Sequence, residues 1–229
     1  MNKIYLVFVF LFIASFLKAQ VIKSGPQEVI PTANAINVAV SLNEETLADD
    51  YFVDADRSEK RGELNDALAL FGKAAFEYNI EKKYNRYASS LLRMSNVHLL
   101  LTHYVEAEQI ILNSALKTYS KIGNKSGQML SYNQLGKIYL ASNRLTQSLW
   151  FYTQQGILAQ QLKDNHSYIE SILGIVAVKI KKKEYAMAIK DIDRAEILAK
   201  NAKTTQFGPQ IRSNRAIIAE RHLTKTKSR

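Results

Sequence analysis

Leu145-Thr146-Gln147-Ser148-Leu149-Trp150-Phe151-Tyr152 is the stretch that decides the fold. A large apolar residue is followed three positions later by a small one, and four positions after that by another large one. That spacing sets all three on one side of a helix. The pattern returns in Leu64-Asn65-Asp66-Ala67-Leu68-Ala69-Leu70-Phe71, Tyr104-Val105-Glu106-Ala107-Glu108-Gln109-Ile110-Ile111 and Tyr185-Ala186-Met187-Ala188-Ile189-Lys190-Asp191-Ile192. The small residues Ala67, Ala107, Ser148 and Ala188 stand 40, 41 and 40 positions apart. Unrelated amphipathic helices do not keep such a period, so the chain is an array of repeats. Its prolines are Pro26, Pro31 and Pro209, so none interrupts the array. The fold class is all-α.

Each repeat reads as two helices. In the third, Tyr132-x-x-Leu135-Gly136-x-x-Tyr139 precedes Ser148-x-x-x-Tyr152. This resembles the tetratricopeptide (TPR) signature, and the period near 40 resembles the long-repeat class of kinesin light chains and Pins-like scaffolds. The resemblance implies a right-handed helical solenoid of about four helix pairs, with repeats near 41–82, 83–123, 124–163 and 164–203. Small residues let the helices of a pair cross closely, and larger ones fill the space between pairs. In the fourth repeat the turns set the register: Asn124 to Leu135 and Asp164 to Ile175 are both 11 positions. Ile175 is then the equivalent of Leu135, Gly174 is incidental, and Lys179 replaces the signature tyrosine. A helix from Pro209 to about Leu223, within 204–229, suits the cap that closes a solenoid.

The rest of the chain sets its context. Lys3 followed by an apolar run over 4–17 and a small residue at Ala19 has the layout of a signal peptide cleaved before Gln20. Fourteen residues are too few to span a bilayer comfortably. Residues 20–40 read as a linker, and Ser41 with Glu44 fits a capping box. The chain is expected to be exported, periplasmic or secreted, with an uncleaved N-terminal membrane anchor as the alternative. The formal charge of +10 falls to +8 on cleavage, and zero cysteines leave stability to packing alone.

No catalytic pattern emerges. His98, His103, His166 and His222 form no metal-binding spacing, with His98 and His103 placed on different faces of a helix. There is no phosphate-cradling glycine loop and no nucleophile elbow. No enzyme activity, cofactor or metal is expected, and export argues against nucleic acid. Lys179, Lys181, Lys182 and Lys183 form one basic cluster, and the residues from Arg212 to Arg229 carry a net +5. Both would suit an anionic envelope surface or a solubilising face. Four consecutive apolar residues cannot all be buried against one neighbour, and Trp150 is the one that the repeats leave unexplained. An outer contact is expected there.

The TPR resemblance implies that first helices line a concave groove holding an extended or helical segment of another protein. Arg93 and Asn96 in repeat two, with Asn133 and Lys137 in repeat three, are the matching inward residues, beside the apolar Leu92 and Ala177. Asparagine can clamp a peptide backbone, and Lys or Arg a carboxylate. The resulting expectation is a protein- or peptide-binding scaffold. A sensory input module and an accessory subunit of an envelope complex are the alternatives.

Overall fold

Residues 46–227 are described by a computed structural model. The expected leader, the linker and the Ser41–Glu44 box lie outside them. Helix α1 (Leu47–Arg61) begins later than position 41, and its cap is Thr46. The Thr46 N–H donates to the Asp49 carboxylate at 3.2 Å, and its hydroxyl donates to the same oxygen at 3.0 Å.

Four antiparallel pairs follow in order. They are α1 with α2 (Leu64–Ile80), α3 (Tyr84–Leu100) with α4 (Tyr104–Ile110) and α5 (Leu116–Lys121), α6 (Lys125–Ala141) with α7 (Leu145–Gln161), and α8 (Asn165–Lys181) with α9 (Tyr185–Asn201). First helices touch across pairs, α3 on α6 and α6 on α8, and each second helix packs on the first helix of the next pair. The described residues thus form an all-α solenoid without strands.

Every boundary is built alike. Gly62, Lys82, Thr102, Gly123, Asn143, Lys163, Lys183 and Lys203 adopt positive φ at steps of 20 residues, with one step of 21. Each ends a helix on a left-handed residue that turns two backbone N–H groups onto the last carbonyls. At Lys163, for instance, its N–H reaches Gln160 O at 3.1 Å and the Asp164 N–H reaches Ala159 O at 2.9 Å. Lysine has no preference for that conformation, which costs it about 1 kcal/mol, so packing imposes these turns.

Close crossings hold each pair. Ala55 meets Ala67, Ser95 meets Ala107, Gly136 meets Ser148 and Val176 meets Ala188, all buried and each 12 positions apart. The Ser95 hydroxyl donates to Ala107 O at 2.9 Å and the Ser148 hydroxyl to Gly136 O at 2.8 Å. In these two crossings one serine, on either helix, satisfies a buried carbonyl without adding bulk.

The single step of 41 has a physical site. Between α4 and α5 the chain forms a π-helical turn, Ile111–Ala115. These three segments hold 7, 5 and 6 residues, together one more than the 17 of α2, α7 and α9. A π turn absorbs one inserted residue without breaking the helix.

Gly174 is not incidental. A Cβ on Gly174 would lie 2.5 Å from the Tyr152 ring, and one on Gly136 would lie 2.7 Å from it. Tyr152 is therefore clasped between α6 and α8, and both glycines are needed. The turn-based register itself holds, because Asn124 and Asp164 cap α6 and α8 alike, accepting from Gly127 N at 2.8 Å and Ser167 N at 3.0 Å.

Helix α10 (Gly208–Lys227) closes the array. Its Ile211 and Ile218, with Phe207 before it, join Ile169, Leu173 and Ile192 in one core. Among the described residues no helix is long and apolar enough to cross a membrane.

Candidate functional site on the first helices

Arg93 and Asn96 converge on the preceding first helix. Arg93 Nη2 donates to Asp56 Oδ1 at 2.6 Å and to Glu59 Oε2 at 2.5 Å, and its guanidinium lies 5.1 Å from the centre of the Phe71 ring. Asn96 Nδ2 donates to Glu59 Oε1 at 2.7 Å. Both residues thereby fasten α3 to α1. Local spacing does not pair these acids with Arg93 and Asn96. The signal was present: Asp56 to Arg93 and Glu59 to Asn96 are both 37 positions apart.

Lys137 sits differently. Its Nζ is 3.5 Å from Glu170 Oε1, with its side chain 45% exposed. Glu170 Oε2 also accepts from Gln155 Nε2 at 3.0 Å, and that amide reaches Ser167 O at 3.3 Å. Asn133, one turn before Lys137, is buried at 6% exposure and its Oδ1 has no hydrogen-bond partner among the described residues.

Asn133 is not the equivalent of Arg93. The π turn lies between them, so first-helix positions of repeats two and three differ by 41, not 40. Asn133 therefore matches Leu92 and Leu173, and Arg93 matches Gln134. In both neighbouring repeats the Asn133 position is apolar, and here a polar side chain with an unmet acceptor replaces it. Sequence reasoning also missed Gln155, a fully buried amide whose Oε1 lacks a partner, where the fourth repeat has Ala195.

Trp150 is 53% exposed on a second helix, its ring edge-on to Phe151 at 4.6 Å and to Tyr132 at 6.4 Å. Phe151 stacks on Tyr139 at 5.2 Å. The Tyr139 hydroxyl donates to Glu108 at 2.6 Å, and burial together with that carboxylate pushes its pKa up to about 12. Trp150 is thus the outer end of an aromatic row whose inner members are structural.

The basic features are largely paired within the chain. Lys179 binds Asp191 at 2.6 Å, Lys182 binds Glu184 at 2.5 Å and Lys181 Nζ donates to Leu140 O at 2.8 Å. Arg215 bridges Asp193 at 2.7 Å and Glu196 at 2.8 Å. The side chains of the last lysines lie outside the described residues. His98 and His103 do meet, at 5.8 Å between rings, because α3 ends at Leu100 and the turn folds His103 back. Burial first, and then His103, lower the His98 pKa. Among the described residues no three potential ligands gather for a metal.

These pairings make stability depend on acid. Lys60 and Arg93 hold the Asp56 carboxyl below its ordinary 3.8. Burial works to raise Asp49 and Asp164, yet hydrogen bonds from Tyr78 and Thr46, and from Ser167, leave both below 3.8. Each pKa is lower in the folded chain than in the unfolded one. Their contribution is therefore complete above about pH 5 and is lost as pH falls through the folded values. Thermal melts from pH 6 to pH 2.5 are expected to fall most steeply below about pH 4. A melting temperature that does not change across that range would refute the assignment.

The architecture is that of a TPR-like helical-repeat protein. No family model matches the sequence, and no curated protein matches it. Among solved structures, BtubC (BKLC) from P. vanneervenii is similar at a TM-score of 0.62 and 16% identity, over 72% of this chain and 69% of that one. The apo form of RapI is similar at 0.64 and 10% identity, over 80% and 73%. A Podosopora anserina protein, described as a kinesin light chain with nearly identical TPR-like repeats, is similar at 0.60 and 10%, over 78% and 86%. At these identities the likeness is one of fold.

Proposed function

We propose that this chain is an exported, non-catalytic scaffold that holds a segment of another protein along its first-helix face, with Lys137 and Asn133 as the contact. The carrying observation is the unmet Asn133 Oδ1 one turn from an exposed lysine. A buried acceptor without a partner costs about 1–3 kcal/mol, and a donor from a docked backbone would recover it once the Asn133 side chain turns outward to meet it. The Lys137–Glu170 pair is long and exposed, so exchanging Glu170 for a partner's carboxylate costs at most about 1 kcal/mol. Arg93, held by two carboxylates, and Asn96 keep the neighbouring helices in place and are not given up.

Asn133→Leu restores the residue type of Leu92 and Leu173. It should stabilise the fold by about 1 kcal/mol, because an unmet polar atom is replaced by apolar packing. With Lys137→Ala added, capture of partner proteins from a cell-envelope extract should fall at least about tenfold. A variant that melts higher and captures the same partners equally well would sink the groove reading. Export rests on residues 1–19 and is tested separately: sequencing of the mature protein should begin at Gln20, and a protein retaining Met1 refutes it.

A further inference from the structure

Where α2 turns into α3 and α5 turns into α6, two open cavities share the side chains of Tyr84 and Ile122. One, of about 450 Å³, is lined by Lys82, Lys83, Tyr84, Asn85, Arg86 and Ile122. The other, of about 310 Å³, adds Tyr87, Thr118 and Lys121. Together they make one cleft with four cations and no carboxylate in its lining. Glu81, 2.8 Å from Lys83, and Asp49, 3.7 Å from Arg86, stand outside it. Lys82 and Lys121 have no carboxylate partner among the described residues. Within the lining, Lys83 and Arg86 have a carboxylate neighbour and Lys82 and Lys121 do not, so the uncompensated charge of the cleft is carried by those two lysines.

The floor is aromatic and apolar. Tyr84 is 42% exposed, a large apolar surface left open to solvent beside those charges. The rim is held in place, since Asn124 both caps α6 through Oδ1 and donates from Nδ2 to Asn85 Oδ1 at 2.8 Å. An amphiphilic floor under unpaired cations is complementary to one kind of occupant. That occupant carries carboxylates to reach Lys82 and Lys121, and a ring or large aliphatic group to cover Tyr84 and Ile122. Small anions would leave the apolar floor uncovered, and a neutral apolar segment would strand the lysines.

We infer that this cleft is a second docking site, which takes an acidic segment of a partner protein bearing an aromatic side chain. The inference rests on the scaffold reading but not on the Asn133–Lys137 face. The pairing is electrostatic and open to solvent, so binding should weaken steeply with salt.

The probe is a fluorescein-labelled peptide of alternating Asp and Glu around one central Phe, followed by fluorescence anisotropy at low and physiological salt. The unaltered chain should bind it. Lys82→Glu combined with Lys121→Glu should weaken binding at least tenfold, with circular dichroism unchanged. Tyr84→Ala should weaken it several-fold, as should replacing the peptide's Phe by Gly. Asn133→Leu with Lys137→Ala should leave it unaltered. Equal binding by the double-glutamate variant, or by a peptide with Lys in place of its acids, would overturn the assignment. Phosphatidylglycerol vesicles that bind the parent and not that variant, in place of the peptide, would also overturn it by pointing to lipid. If the chain captures protein partners but the acidic peptide does not bind, the cleft assignment fails and the scaffold reading stands.

Discussion

Gly174→Val should cost about 3 kcal/mol of stability, and Gly72→Ala should add up to about 1 kcal/mol, although both remove a glycine from a helix interior. Propensity alone predicts a gain at both positions, since glycine is about 1 kcal/mol worse than alanine in a helix. Packing reverses the sign at one of them. Nothing lies within 4 Å of a Cβ on Gly72, whereas a Cβ on Gly174 meets three ring atoms of Tyr152 at 2.5–2.7 Å. The ring has little room to retreat, because a Cβ on Gly136 of α6 would also meet its Cδ1–Cε1 edge and Tyr152 is only 3% exposed. For a domain of this size each kcal/mol moves the melting temperature by about 2–4 °C, so the variants should separate by well over 5 °C. Tyr152→Ala should couple strongly to Gly174→Val, making the double change cheaper than the sum of the single ones. Additive effects would show that the ring is not what the glycine accommodates.

That clasp marks where sequence reading succeeds and where it stops. A small residue recurring every 40 positions is legible because a close helix crossing tolerates nothing larger, so the pairs and the all-α class follow from Ala67, Ala107, Ser148 and Ala188 alone. Gly174 is different. It matches Gln134 and Arg93 in its neighbours, and its smallness answers to one tyrosine of the preceding repeat. A constraint set by a single partner leaves no periodic trace. Arg93 and Asn96 illustrate the same limit. Residue type marks them as binding groups, but the acids that occupy them lie 37 positions away on a helix whose orientation only packing fixes. The cleft at Tyr84 was invisible for the same reason, since its residues come from two turns about 40 positions apart. The pairing of Asn133 with Arg93 failed for a narrower reason: a spacing of 41 was visible between Ala107 and Ser148, but not where the extra residue lay.

Locating that residue leads to the second large effect. Deleting Asn113 should be tolerated to within about 1 kcal/mol, whereas deleting Thr153, at a comparable place in α7, should cost well over 3 kcal/mol and uncouple the last two pairs. In α2 the buried positions Ala67, Phe71, Ala74 and Tyr78 step by 4, 3 and 4. In repeat two they are Ala107, Ile111, Ala115 and Tyr119, stepping by 4, 4 and 4, and the π turn takes up the difference. Removing the exposed Asn113 changes the second step to 3, so the segment becomes an ordinary helix with the same face buried. No compensating turn exists in α7, where Ser148, Tyr152, Gln155 and Ala159 already step by 4, 3 and 4. A deletion at Thr153 rotates everything after it by about 100° and turns Gly156 and Ala159 off the interface. Urea unfolding separates the outcomes: a single transition near the parent's midpoint for the first deletion, an early or split transition for the second. Equal loss in both would mean that the π turn is a required feature of the second repeat, not an absorbed insertion.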